Sequence, residues 1–120
     1  MEKTRLTGAQ IRYLLVLERL NCPEGIRVSD IAAVMKVSKP SVHNMMDTFM
    51  ALGFVGKNPG GRVLMTEYGM QEARRYAQGC VRIRDRLRAR TEDASLETAI
   101  CAFMAEASEA CMEALEREEN

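Results

Sequence analysis

The chain has 120 residues, 47% of them hydrophobic and 5% aromatic, enough for one domain or a small domain with a helical extension. Net charge is zero, yet residues 1–90 hold 16 Lys/Arg against 8 Asp/Glu and residues 91–120 hold one Arg against nine acids, so a basic body precedes an acidic tail. No apolar run approaches the roughly 20 residues of a membrane helix, and the opening MEKTRLTGAQ lacks the apolar core of a signal peptide, so a cytoplasmic protein is expected.

Thr7-Gly8-Ala9-Gln10 has the form of a capping box, with Thr7 capping and Gln10 reaching back. Ile11, Leu14, Leu15 and Leu17 follow at near-helical spacing and predict a helix to about Leu20. Asn21 to Gly25 carries both Pro23 and Gly25 and reads as a turn. Ser29 is expected to cap a short helix, with Asp30 at its positive end and Ile31, Ala32, Val34 and Met35 on its apolar side. Ser38 is placed to cap the next helix, and Pro40 fits a first turn, where its missing N–H has no partner to lose. Val42, Met45, Met46, Phe49 and Leu52 fall on one stripe of that helix, and Gly53 ends it. A short helix, a tight turn and a longer helix make a helix-turn-helix pattern.

Phe54–Lys57 and Arg62–Met65 are strand-like and flank Asn58-Pro59-Gly60-Gly61, which predicts a β-hairpin. Thr66 and Glu67 open a helix to about Arg90, and Ser95 is expected to cap a last helix carrying Leu96, Ile100, Phe103, Ala107, Cys111 and Leu115 on one face. The predicted fold is mostly α: a winged helix-turn-helix of three helices and a two-stranded wing over residues 1–66, followed by two C-terminal helices over residues 67–120.

The four cysteines, Cys22, Cys80, Cys101 and Cys111, form no C-x-x-C pair, which excludes the spacing of a zinc ribbon or a thioredoxin-like site. Each is expected to be a reduced, buried small hydrophobe. No P-loop, G-x-S-x-G or H-E-x-x-H is present, and the single histidine, His43, sits on the expected recognition helix, so no enzyme is expected. The polar side of that helix shows Lys39, Ser41, His43, Asn44 and Asp47. In a major groove Asn44 would pair with an adenine edge, Lys39 would reach a guanine or phosphate, and Ser41 and His43 would hydrogen-bond phosphate or base. Lys57 and Arg62 on the wing would meet the backbone or minor groove. Asp47 fits this face only if it pairs with His43 one turn earlier.

The stretch RVSDIAAVMKVSKPSVHNMMDTFMALGFVGKNPGGRVLMTEYGMQEA resembles the DtxR/MntR-type metal-dependent transcriptional repressors. The likeness rests on V-S-D-I-A before the turn, the S-x-P-S-V opening, the short wing and L-M-T-E-Y-G leading into a long helix, and it spans roughly residues 7–112. It implies a DNA-binding domain over residues 1–66, a dimerisation and vestigial metal-binding region over residues 67–120 whose C-terminal helices hold a homodimer, a palindromic double-stranded DNA operator, and a divalent Mn or Fe ion as the switch. The ligand positions depart from that pattern. RIRDRLRAR puts Asp85 where the family has a histidine and Ala89 where it has a carboxylate. ICAFMAEAS puts Cys101, Met104 and Ala105 at the positions of the last helix's ligand cluster, with Glu106 just beyond and Glu97 one turn before. The first helix offers only Gly8-Ala9-Gln10-Ile11.

Two readings follow from this departure. In one, Glu97, Cys101 and Met104 share a helical face and Asp85 completes a retooled site for a softer ion, zinc included. In the other, the site is lost and the same stripe is packing. Cys80 or Cys101 near the arginine run could instead sense thiol-reactive molecules, as in a MarR-like regulator responding to a small molecule or to oxidation. The arginines at 82, 84, 86, 88 and 90 spread charge around a helix and are expected to be solvated and neutralised by the acidic last helix of the same or a partner chain, with added phosphate contact as the alternative. From a different class, the winged helix could serve protein–protein contact.

Overall fold

The computed structural model describes residues 5–87 and 94–117. Its elements run α1 (Gly8–Leu20), α2 (Val28–Met35), α3 (Lys39–Ala51), β1 (Val55–Lys57), β2 (Val63–Met65), α4 (Glu67–Leu87), α5 (Ala94–Glu106) and α6 (Glu109–Arg117). The predicted architecture, a winged helix-turn-helix followed by further helices, is the one observed. The chain divides into two compact units, Tyr13–Arg74 and the pair of segments Met1–Arg12 and Arg75–Asn120.

In the unit Tyr13–Arg74, α2 and α3 each bury one face, whereas α1 is buried all round over residues 13–17. Leu14, Leu15, Val16 and Leu17 of α1, Ile31 of α2, and Val42, Met46 and Phe49 of α3 are buried, with Val63 of the wing. An aromatic series runs through it: Tyr13 meets Phe49 edge-on at 6.3 Å, Phe49 meets Phe54 edge-on at 5.4 Å, and Phe54 meets Tyr68 at 5.3 Å. Edge-to-face contact adds to the area that these rings remove from water. Burial also raises the Tyr13 phenol above its ordinary pKa.

Local chemistry sets the helix ends. The Thr7 N–H donates to Gln10 Oε1 at 3.0 Å and the Gln10 N–H donates to Thr7 Oγ1 at 3.1 Å, the reciprocal pair of the expected capping box. Ser38 Oγ accepts from the Ser41 N–H at 3.2 Å, and Pro40 lies in the first turn of α3. Ser29 is not a cap: it lies inside α2, which begins at Val28, two residues before the expected start, with Arg27 in the N-cap position and no side-chain cap. Ile26 bridges Val63 in antiparallel fashion, on the other side of β2 from β1, and this extended pairing one residue before Arg27 precedes the helix start. The turn between α2 and α3 passes through Lys36 at φ 59, in the left-handed region.

The wing pairs Val55 with Met65, Gly56 with Leu64 and Lys57 with Val63. Gly53, at φ +82, lets the chain leave α3 and turn into β1. Thr66 then fastens the start of α4. Its hydroxyl donates to Gly53 O at 2.6 Å and accepts from the Gly69 N–H at 2.9 Å. Gly69 has no alternative: a Cβ there would stand 2.0 Å from Phe54 O. The T-E-Y-G string is thus a cap followed by a close backbone approach.

In the other unit, the described helices are the start of α1, the later part of α4, α5 and α6. Leu6, Ile11, Cys80, Ile100, Cys101, Met104 and Met112 are buried. Gly8 packs against α5, where an added Cβ would lie 3.1 Å from Ala102 Cα. The expected single last helix is two. Ser108 interrupts it and caps α6, its Oγ accepting from the Cys111 N–H at 3.1 Å, with Glu109 favourable in the first turn. Cys111 and Leu115 therefore lie on α6. Ser95, expected as a cap, lies inside α5.

Basic α4 does pair with the acidic helices. Arg75 binds Glu109 at 2.6 Å and also Glu116, Arg84 binds Glu97 at 3.3 Å, and Arg82 donates to Leu115 O. Burial lowers the Arg75 pKa, but its hydrogen bonds to Glu109 and Glu116 outweigh that and hold the guanidinium above its ordinary value. Arg88, Ala89 and Arg90 lie outside the described residues.

Candidate nucleic-acid interface

The two faces of α3 divide cleanly. Val42, Met46 and Phe49 are buried, whereas Ser38, Lys39, Pro40, Ser41, His43, Asn44 and Asp47 are all exposed. Ser38 fixes the helix start that would enter a groove, and its hydroxyl also donates to Ser41 Oγ at 3.0 Å. Ser41 is thereby held close to the cap, while Lys39, His43 and Asn44 extend along the exposed side. No ion pair joins His43 to Asp47 among the described residues. Both side chains are exposed, so the condition under which Asp47 would fit a phosphate-facing surface is not met.

Lys57 is exposed at the end of β1. Arg62, the other wing residue expected to meet the backbone or minor groove, makes a contact within the chain. It is half-buried, and its Nη1 lies 3.5 Å from Gly25 O. Asn58 explains why. Its Nδ2 donates to Glu24 O at 3.1 Å and its Oδ1 accepts from the Arg62 N–H at 3.0 Å, so the wing tip is pinned to the 22–25 turn. Gly25, at φ +93, leaves room for Arg62, whose Cβ would lie 2.7 Å from a Cβ at that position.

Charge on this unit is more balanced than the basic body implied. Residues 13–74 hold seven Lys/Arg against six Asp/Glu, while 75–90 hold six Arg against Asp85 alone. Attraction to phosphate must therefore come from local placement. Arg27, at the head of α2, and Lys36, in the turn, are exposed cations of the helix-turn-helix. Neither was singled out from sequence, although Lys36 stands at the junction of the two helical patterns.

The proposed metal ligands separate into two groups. Glu97, Cys101 and Met104 do share the buried face of α5, and Asp85 is exposed on α4. Glu97 is 6% exposed. Its Oε2 accepts from Arg84 at 3.3 Å and its Oε1 faces Arg12 Nε at 3.8 Å. Met104 packs on Gly79 of α4, where an added Cβ would lie 3.0 Å from its Sδ. Among the described residues no three His, Cys, Asp or Glu side chains are grouped as metal ligands would be. Cys80 and Cys101 are buried, which removes the access that a reactive thiolate needs, and Cys111 is half-buried. No helix among the described residues is long and apolar enough to cross a membrane.

Residues 12–59 match the family model of the IclR helix-turn-helix domain. That match runs from α1 to the wing tip and speaks to the helix-turn-helix alone. No curated protein matches the chain. Among solved structures the chain is similar to a hypothetical protein of Sulfolobus solfataricus, at 21% identity over 92% of this chain and 86% of that one, with a TM-score of 0.66. It is similar to T. acidophilum IdeR at 16% identity over 96% of this chain and 53% of that one, with a TM-score of 0.63. ScaR, a manganese-activated repressor, is similar in its zinc-bound form at 25% identity over 90% of this chain and 52% of that one, with a TM-score of 0.62. The chain spans about half the length of IdeR and ScaR. With the exposed face of α3, these likenesses show a winged helix-turn-helix of the kind found in DNA-binding regulators.

Proposed function

We propose that this protein is a sequence-specific transcriptional regulator that acts as a homodimer on a palindromic operator, with α3 in the major groove. The observation that carries the reading is the exposed, Ser38-capped start of α3, with Lys39, His43 and Asn44 held on a rigid helix by the buried Val42, Met46 and Phe49. Asn44 reads an adenine edge, Lys39 a guanine or a phosphate, and Ser41 and His43 the adjoining phosphates or bases. Lys57 reaches the backbone from the wing. Arg62 serves mainly to fix the wing, given its contact with Gly25.

The resemblance to the DtxR/MntR-type repressors supports the dimer, and so does the surface of the α4–α6 unit. Ile83, Leu87, Leu96, Ile100 and Phe103 line an apolar groove of about 480 Å³, and at its rim Leu87 and Phe103 are 61% and 53% exposed. Apolar surface of this kind marks an interaction site. Two half-sites about one helical turn apart need two winged helices held together. The site of action is the cytoplasm, where the operator lies.

The same groove favours a second reading of the effector. Its walls suit a small apolar molecule, as in a MarR-like regulator, and Cys111 lines it. Both readings keep DNA as the partner. They are tested by fluorescence anisotropy with duplex from upstream of the protein's own gene against a scrambled duplex, at several salt concentrations. Specific binding that weakens steeply with salt is expected. Equal affinity for both duplexes with little salt dependence would favour a protein–protein module.

A further inference from the structure

Glu97 is the one carboxylate among the buried side chains of α5; Arg84 donates to it at 3.3 Å, and the Arg12 guanidinium faces it through Nε at ion-pair distance, 3.8 Å, without a hydrogen bond. Arg84 comes from α4 and Arg12 from α1, so the three charges join three helices of one unit. A divalent ion at Glu97 would have to displace both arginines or sit beside them. The first leaves two guanidinium groups without their shared counter-charge, and the second places like charges together in a poorly solvated pocket. The other donors do not compensate. Manganese and ferrous iron prefer carboxylate and imidazole, yet the remaining buried candidates are the thiol of Cys101 and the thioether of Met104, the latter packed on Gly79. Zinc, which accepts thiolate, would find one thiol and no grouped set of the three or four ligands it takes among the described residues. Asp85 is exposed. The residues present do not fit a divalent metal site.

We infer that the Arg12–Glu97–Arg84 cluster is a permanent substitute for a metal switch: it ties α1, α4 and α5 together without any ion, so that the regulator's affinity for DNA does not respond to manganese, ferrous iron or zinc. Guanidinium groups suit this task because they are part of the chain itself and bring positive charge to the buried carboxylate without an ion. A metal ties helices only when it is available, whereas this cluster ties them always. The statement about DNA rests on the function proposed above, while the statement about the cluster does not.

The test therefore has two arms, both on the full chain. In the first, thermal melting is followed without DNA, in chelator and then with manganese, ferrous iron under anaerobic conditions, or zinc. The melting midpoint is expected to stay within about 1 °C in every case, since a ligand that does not bind the native state cannot raise it. Glu97→Gln is expected to lower the midpoint by several degrees, by the same amount with and without each ion. A saturable rise with one ion that Glu97→Gln abolishes would overturn the inference. Should Glu97→Gln fail to fold, the titration of the unaltered chain decides alone.

In the second arm, affinity for the upstream duplex is compared across the same conditions. Equal affinity within twofold is expected. A gain of tenfold or more with one ion would overturn the inference while leaving the DNA reading intact. Failure to bind the duplex under any condition would overturn the DNA reading and with it the statement about DNA, and the cluster would then stand or fall on the melting data.

Discussion

The carbonyl oxygen of Phe54 lies where the side chain of residue 69 would begin: a Cβ on Gly69 would stand 2.0 Å from it. This contact lets the end of the α3–β1 connection touch the first turn of α4, and Thr66 completes it by donating to Gly53 O and accepting from the Gly69 N–H. Alanine in an exposed helix interior normally gains about 1 kcal/mol over glycine. Here the clash decides the sign. Gly69→Ala is expected to destabilise the fold by about 3 kcal/mol, within the range of overpacked sites, as measured by urea unfolding.

Ser38 supplies a smaller, separable contribution. Its Oγ accepts from the Ser41 N–H at the head of α3. Ser38→Ala is expected to cost about 1 kcal/mol of stability, and Ser38→Asp is expected to restore most of it in the free protein, because an acid favours a helix N-terminus. Placed beside phosphates, the same aspartate should weaken DNA binding. Melting and anisotropy on the two variants distinguish these effects.

Much of this was legible in the sequence because it is local. The Thr7–Gln10 box, the Ser38 cap, Pro40 in a first turn and the hairpin around Asn58–Gly61 all depend on residues within a few positions of one another. The features that were not legible depend on distant partners. Ser29 lies inside α2, whose N-cap at Arg27 follows directly on the pairing of Ile26 with Val63 of β2. Arg62 turns toward Gly25 because Asn58 is tied to Glu24. Glu97, read as a ligand from its spacing to Cys101, meets Arg12 and Arg84 from two other helices. The break at Ser108 was an exception. Its signal, a serine followed by an acid, was local and was hidden by an apolar periodicity that continued across it.

Asn44 and Lys39 should differ in what they contribute to binding. Asn44→Ala is expected to lower discrimination between operator and scrambled DNA by about 1–3 kcal/mol, with non-specific affinity little changed. Lys39→Ala, if its role is phosphate contact, should weaken binding to both duplexes alike and reduce the salt slope by about one. Equal losses for Asn44→Ala on both duplexes would count against base reading.

Phe103 tests the dimer. It is exposed on α5 at the rim of the apolar groove. Phe103→Asp would place a charge on that rim while leaving the buried face of α5 intact. A shift from dimer to monomer in sedimentation is expected, together with loss of affinity for a full palindrome but not for a half-site. A dimer unchanged by the substitution would move the interface elsewhere.

The central claim is that the exposed side of α3 touches DNA. The most direct measurement is an amide chemical-shift map of the isotope-labelled chain, titrated with the upstream duplex. The account predicts saturable shifts concentrated on residues 36–44, with a second group near Lys57. Shifts confined to α5 and α6, or none at duplex concentrations where anisotropy reports binding, would contradict it.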